Sequence, residues 1–321
     1  MLPEIKLGVL SIPSYGLMVF LGVLAYLAFL LVVLVRVDRK SPTVVRQTLL
    51  VSLLSFVAMY ISALLFDGLF HSIDRGYLVL GGITWEGGVI GGFTAFLLLA
   101  HLIVKRERGR ELQLFSSVMP GLVLAHGFGR VGCFLGGCCF GGITEGPLGV
   151  VFPNGSAAAH TYPNTLTGEG SFPLLPTQLF EAAFELALFL LMVALYRHLR
   201  DKNLSLYLTA YGAFRFVLEF WRGDNRGATG LFLSPSQLMS LLLITAGVLI
   251  FLFQRGKIFK GLAVRCATWR ENADAGRYDA PALDPERAAA YAELEALFAL
   301  KQKGALTEEE YEEKKKELLK K

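Results

Sequence analysis

"GLMVFLGVLAYLAFLLVVLVRVDRK", residues 16–40, decides how the rest of the chain is read. Residues 16–35 carry no charge, and about 20 residues in a helix cross the roughly 30 Å hydrocarbon core of a bilayer. The run then meets Arg36, Arg39 and Lys40. An apolar segment closed by a basic cluster reads as a membrane span whose far end is marked.

Working outward, the 321 residues are 54% hydrophobic and only 18% charged, with a mean hydropathy of +0.51. Such a chain is too apolar for a soluble globule and too poor in charge for disorder. Comparable runs lie at 47–66, 84–104, 113–135, 177–196, 204–221 and 236–254, giving seven expected spans. The fourth holds Pro120 and several glycines, and the sixth holds Arg215 and Glu219, so both are expected inside the bundle. The fold expected is an all-α polytopic membrane protein with a membrane domain over 1–255.

Orientation follows from lysines and arginines in the short loops. Arg36, Arg39, Lys40 and Arg46 follow the first span; Lys105, Arg106, Arg108 and Arg110 the third; Arg197, Arg200 and Lys202 the fifth. The alternate loops carry only Arg75, no basic residue, and Arg222 with Arg226. The N-terminus is therefore expected outside and the C-terminus in the cytoplasm, with the long 136–176 connection forming a small outward head. No cleavable leader is expected from 1–14, which lacks a charged start before its apolar run. The net charge of +4 is accounted for by these loops, and no nucleic-acid motif is present.

Residues 256–290 read as a linker with little structure. Over 291–321, Leu294, Leu297 and Leu300 share a face, Gly304 ends a first helix, and Thr307 with Glu310 forms a capping box for a second. This hairpin resembles a short C-terminal domain appended to many bacterial proteins. It is a candidate surface for a protein partner or self-association.

Ionisable residues in a bilayer are costly and mark either a site or a buried structural pair. Arg130 falls near the outer end of the fourth span, Gln178 and Glu181 in the outer turns of the fifth with Glu185 deeper, and Tyr211, Arg215 and Glu219 on successive turns of the sixth. Two arginines among amide, phenol and carboxylate groups at one depth suit an anion such as a phospholipid headgroup, because the planar guanidinium binds phosphate oxygens in pairs. "TWEGGVIGG", residues 84–92, opens the third span. Gly87, Gly88, Gly91 and Gly92 there either let helices approach closely or leave room for a headgroup beside Glu86. Tyr15 enters the first span, where tyrosine also serves as an interface anchor.

Taken in order, Tyr15-Gly16, the Gly-Gly-x-x-Gly-Gly opening the third span, Gly129-Arg130, "PTQLFE" from Pro176 and "YGAFRFVLEFWR" from Tyr211 resemble the bacterial prolipoprotein diacylglyceryl transferases over about residues 10–255. The resemblance implies an inner-membrane enzyme that moves the diacylglyceryl group of phosphatidylglycerol to the thiol of a lipobox cysteine in a secreted precursor, releasing glycerol phosphate, with no cofactor. It implies that Arg130 and Arg215 hold the phosphate and that Tyr15, Gln178, Tyr211 and Glu219 line the same lipid site, to which the headgroup reading of the third span adds Gly87 and Gly88. Glu86 stands where the family has a histidine before its glycines, and Cys133 and Cys138, followed by Cys139, stand where its signature has asparagine and glutamate.

A thiol acceptor needs a base or cationic surroundings to become a thiolate. Glu86 is the first candidate base by position and His126, four residues before Arg130, the second. Cys133, Cys138 and Cys139 admit three readings: small buried hydrophobes, a disulfide in an oxidising compartment, or a redox or acceptor role. The missing C-x-x-C spacing and fourth ligand argue against a metal. Besides the transferase, two other functions fit parts of the pattern: a membrane thiol oxidoreductase, and a lipid-binding scaffold without activity. A transferase with another acceptor is a variant of the first.

Overall fold

A computed structural model of the chain describes residues 4–7, 10–75, 85–223, 232–278, 293–294, 296–298, 300–301 and 307–318. Long helices occupy each of the apolar runs. They are α1 (Ser14–Val32, continued by a π-helical turn over Val33–Val37), α2 (Pro42–Arg75), α3 (Trp85–Ile103) and α4 (Glu111–Gly136). After the short α5 (Ala157–Thr161) come α6 (Thr177–Ala194), the single turn α7 (Tyr196–Leu199), α8 (Asn203–Leu218) and α9 (Pro235–Gln254). Helices α1, α2, α4, α6 and α9 are long and apolar enough to cross a membrane; α3 contributes a shorter apolar stretch, Gly87–Ile103. Helix α8 has 16 residues and carries Arg215. The outward faces remain apolar, with Phe20, Leu24, Leu54, Val57, Leu98 and Leu190 all exposed. An all-α polytopic membrane protein results, because helices satisfy their own backbone groups in lipid and can present such faces to it.

Small residues set the closest helix contacts. A Cβ at Gly22 of α1 would lie 2.9 Å from the Ala125 carbonyl of α4, and one at Gly212 of α8 would lie 2.8 Å from the Ser240 carbonyl of α9. Lipid offers no hydrophobic drive between helices, so close packing of this kind does much of the joining. The buried core runs through Tyr26, Leu30, Phe96, Val118, Val123 and Met192, and Tyr26 shares a hydrogen bond of 2.8 Å with Ser52 of α2.

The three basic loops meet at one end of the bundle. Lys40 pairs with Glu107 at 2.6 Å, and Arg200 with Asp38 at 3.1 Å. The 136–176 connection forms a small head with its own core of Phe140, Phe152, Ala158 and Leu174. Gly141 and Gly142 are clasped between Leu175 and Trp221 by backbone hydrogen bonds of 2.8 and 2.9 Å. A Cβ at Gly141 would come within 2.8 Å of the Leu175 carbonyl, so only glycine fits this clasp.

Three regions differ from expectation. Glu4–Leu7 and Leu10–Pro13 form an antiparallel strand pair ahead of α1. Helix α2 extends nine residues past its apolar stretch, which ends at Phe66. The stretch read as a linker with little structure contains α10 (Lys260–Asp274), whose Trp269 ring meets His101 at 4.7 Å and whose Arg270 donates to the Gly109 carbonyl at 2.7 Å. A polar helix with little periodicity reads as linker until its docking residues are known.

The residues from Glu271 onward form a separate unit. There α11 (Glu308–Leu318) begins with the expected capping box: Thr307 Oγ1 accepts from the Glu310 amide at 3.3 Å, and Glu310 Oε2 accepts from the Thr307 amide at 2.9 Å. Phe298 packs on Tyr311 with ring centroids 6.0 Å apart. Gly304, the expected end of the first hairpin helix, lies outside the described residues.

Candidate active site

The polar residues singled out on three separate spans converge. Helix α6 presents Gln178, Glu181 and Glu185 on one face at helical spacing, all three fully buried. Glu181 is the hub: its Oε1 pairs with the Arg130 guanidinium at 3.0 Å and accepts a hydrogen bond from the Tyr211 hydroxyl at 2.8 Å. His126 lies one turn before Arg130 on α4, with Nδ1 2.8 Å from Glu185 Oε1 and 2.9 Å from the Tyr207 hydroxyl. Its Nε2 accepts from Arg130 Nε at 3.2 Å. Tyr207 and Tyr211 stack in parallel, with centroids 5.3 Å apart, and complete the wall.

Arg215 forms a second station. Its Nη2 pairs with Glu219 at 2.7 Å and donates to Ser236 at 3.2 Å, while Ser234 donates to the other oxygen of Glu219 at 2.9 Å. Nη1 of Arg215 is buried and has no hydrogen-bond partner among the described residues, and the same holds for Oε1 of Gln178. Arg130, His126 and Arg215 all act electrostatically on the Glu181 carboxylate. Each arginine is therefore already paired with a carboxylate, and each pair joins residues that the sequence placed on one depth.

Helix α3 plays a different part. Ser62 of α2 donates to the Gly87 carbonyl at 2.8 Å. A Cβ at Gly88 would touch Met59 at 3.3 Å, and one at Gly91 would collide with Ser62. The glycines thus serve the close approach of α2 and α3. They also border a cavity of about 340 Å³ lined by Val19, Phe56, Met59, Gly88, Phe93 and Leu122, with His126 and Tyr207 supplying polar edge. The side chain of Glu86 lies outside the described residues.

At the last turns of α4, Tyr15 packs against Gly132, where an added Cβ would meet the ring at 3.2 Å. Cys133, Cys138 and Cys139 stand beside it with their sulfurs within 4.8 Å of one another. Gln178 Nε2 donates to the Cys138 carbonyl at 2.6 Å and Thr177 to the Cys139 carbonyl at 3.0 Å. Hydrogen bonds from Cys133 and Cys138, reinforced by Arg222 and Arg130, hold the Cys139 thiol well below its usual range. The expected site residues whose side chains are described lie on α1, α3, α4, α6 and α8, except Cys138 and Cys139 in the turn after α4 and Glu219 in the 3-10 turn after α8. Ser236 and Tyr207 were not singled out from sequence; as a serine and a tyrosine on apolar helices they carry no charge signal.

Fold and site together define a polytopic helical membrane protein with an intramembrane polar centre opening on an apolar cavity. Residues 4–253 match the model of the prolipoprotein diacylglyceryl transferase family, and residues 292–319 match the short C-terminal domain. The chain belongs to that transferase family, whose members are bacterial inner-membrane enzymes. It is 36% identical over 185 residues to phosphatidylglycerol–prolipoprotein diacylglyceryl transferase 2 of Clostridium perfringens, covering 57% of this chain and 64% of that one. A Clostridium tetani protein named as the same transferase is 36% identical over 176 residues, 54% of this chain and 65% of its own length. The chain thus spans just under two thirds of these two relatives. One from Francisella tularensis subsp. novicida is 30% identical over 262 residues, covering 77% of this chain and 91% of that one.

Proposed function

We propose that the protein transfers the diacylglyceryl group of phosphatidylglycerol to a lipobox cysteine thiol of a precursor protein, at the outer leaflet. The carrying observation is the buried Nη1 of Arg215, which lacks a partner among the described residues while Nη2 is held by Glu219 and Ser236. A buried guanidinium with one open edge is a fixed donor for a phosphate oxygen. Gln178 Oε1, likewise buried and open, is an acceptor for a headgroup hydroxyl. The cavity beside His126 has the lining for part of an acyl chain. The gathering of basic residues in the alternate loops supports a head and N-terminus on the outer side.

His126 is the base in this reading: Glu185 orients its ring through Nδ1 at 2.8 Å, as a carboxylate orients a base in other enzymes, and Nε2 takes the proton when Arg130 turns from it to the phosphate. The acceptor S–H gives its proton to His126 and the sulfur attacks the glyceryl carbon. The C–S bond forms as the C–O bond to phosphate breaks, and the electron pair leaves on glycerol phosphate. Arg130 and Arg215 offset the charge that gathers there. Glu181 and Glu219 hold the two arginines in place before lipid arrives.

The test is incubation of purified protein with labelled phosphatidylglycerol and a lipobox peptide, followed by mass spectrometry. Thioether peptide with stoichiometric glycerol phosphate is expected. Glycerol phosphate without modified peptide would point to another acceptor, and bound lipid without turnover would support the scaffold instead.

A further inference from the structure

The transferase reading gives Cys133, Cys138 and Cys139 no task, yet two backbone devices bring them together. Helix α4 ends on Gly137 in the left-handed conformation, φ 70°. The Cys138 amide then reaches back to the Cys133 carbonyl at 3.1 Å and the Gly137 amide to that of Phe134 at 3.2 Å. This closure sets the residue two past the helix end against one inside its last turn. Thiols five positions apart therefore meet without a C-x-x-C motif. Cys139 adds a second device, a φ of 61°, in the left-handed region that residues with a side chain disfavour. Thr177 and Gln178 tie down the carbonyls of Cys139 and Cys138 and keep the turn in that shape.

A small hydrophobe needs no such backbone, and a disulfide would use only two of the three sulfurs. A d10 thiophilic cation uses them all. Metal–sulfur bonds of about 2.3 Å place tetrahedral ligands about 3.8 Å apart, within side-chain rotation of the 4.8 Å limit observed. We infer that Cys133, Cys138 and Cys139 form a three-thiolate site for one thiophilic d10 cation, Cu(I) or Zn(II). Three sulfurs complete a trigonal Cu(I) set, whereas Zn(II) takes water as a fourth ligand. On loading, each S–H bond breaks, its proton goes to solvent and its electron pair to the metal, with no change of oxidation state. Loading locks the end of α4, and with it Arg130, to the loop that Gln178 holds.

The test uses the full-length protein, stripped with chelator under reductant and titrated anaerobically with Cu(I) or Zn(II) in separate arms. Retained metal is measured by mass spectrometry. One equivalent is expected in at least one arm, and the arm that retains it identifies the ion. Cys138→Ser and Cys139→Ser should each weaken retention by more than about tenfold, through loss of a ligand, while Cys266→Ser retains it in full. A second readout needs no variant: bound metal should shield three thiols from maleimide and leave Cys266 to react. Retention no greater than in the serine variants, labelling of all four thiols with metal present, or a mass lighter by two hydrogens that persists with metal would each overturn the site. Metal content and labelling are read without transfer activity, so the result stands apart from the transferase assay.

Discussion

The contact between α4 and α6 and the contact between α2 and α3 solve the same problem in opposite ways. The first is joined by Arg130 with Glu181 and His126 with Glu185; the second by Gly88, Gly91 and Gly92 laid against Met59 and Ser62. Helices in lipid associate through polar bonds or through shape, and each contact here uses mainly one of the two. The polar contact carries groups able to move a proton or hold an anion. The glycine contact supplies the wall beside which an apolar chain can lie. Chemistry and accommodation are therefore divided between two helix pairs.

The largest test of this division is Glu181→Ala, which leaves the Arg130 charge buried without its partner. We expect a loss of about 3–5 kcal/mol in stability, read by thermal unfolding in detergent, with much of it recovered in the double variant with Arg130→Ala. A loss under about 1 kcal/mol, typical of exposed pairs, would show that the pair is solvated. Next, His126→Gln should slow glycerol phosphate release by about 100-fold while Glu86→Gln stays within about tenfold, a comparison made in the same peptide assay. The reverse ranking would transfer the role of base to Glu86. On the other contact, Gly91→Val should cost about 1–3 kcal/mol by overpacking, seen as a lower unfolding temperature. If it is tolerated, α2 and α3 do not depend on shape. The smallest effect lies outside both contacts: Thr307→Ala should cost the C-terminal hairpin about 1 kcal/mol, detected as faster amide exchange at the start of α11 with the spans unchanged.

Much of the membrane domain was legible because its signals are local. A run of apolar residues ended by Arg36 or Lys105 marks a span by itself, and Thr307 with Glu310 marks a helix start within four residues. Arg130, Gln178, Tyr211, Arg215 and Glu219 stood out because charge and hydrogen-bonding groups are conspicuous in apolar runs. Their partners were not legible to the same degree: pairing Arg130 with Glu181 joins residues 51 positions apart, and no periodicity encodes that. The helix over Lys260–Asp274 escaped because its order comes from Trp269 and Arg270 docking on distant residues. Cys133, Cys138 and Cys139 stood out in the sequence, but their meeting did not, because the left-handed Gly137 folds residues five positions apart back on one another.

The extra length of α2 has a geometric outcome. Its 34 residues give a rod of about 51 Å at 1.5 Å per residue, against a hydrocarbon layer of roughly 30 Å. The nine residues beyond Phe66 account for about 13 Å of that rod, so its tip stands clear of the acyl layer unless the helix tilts steeply.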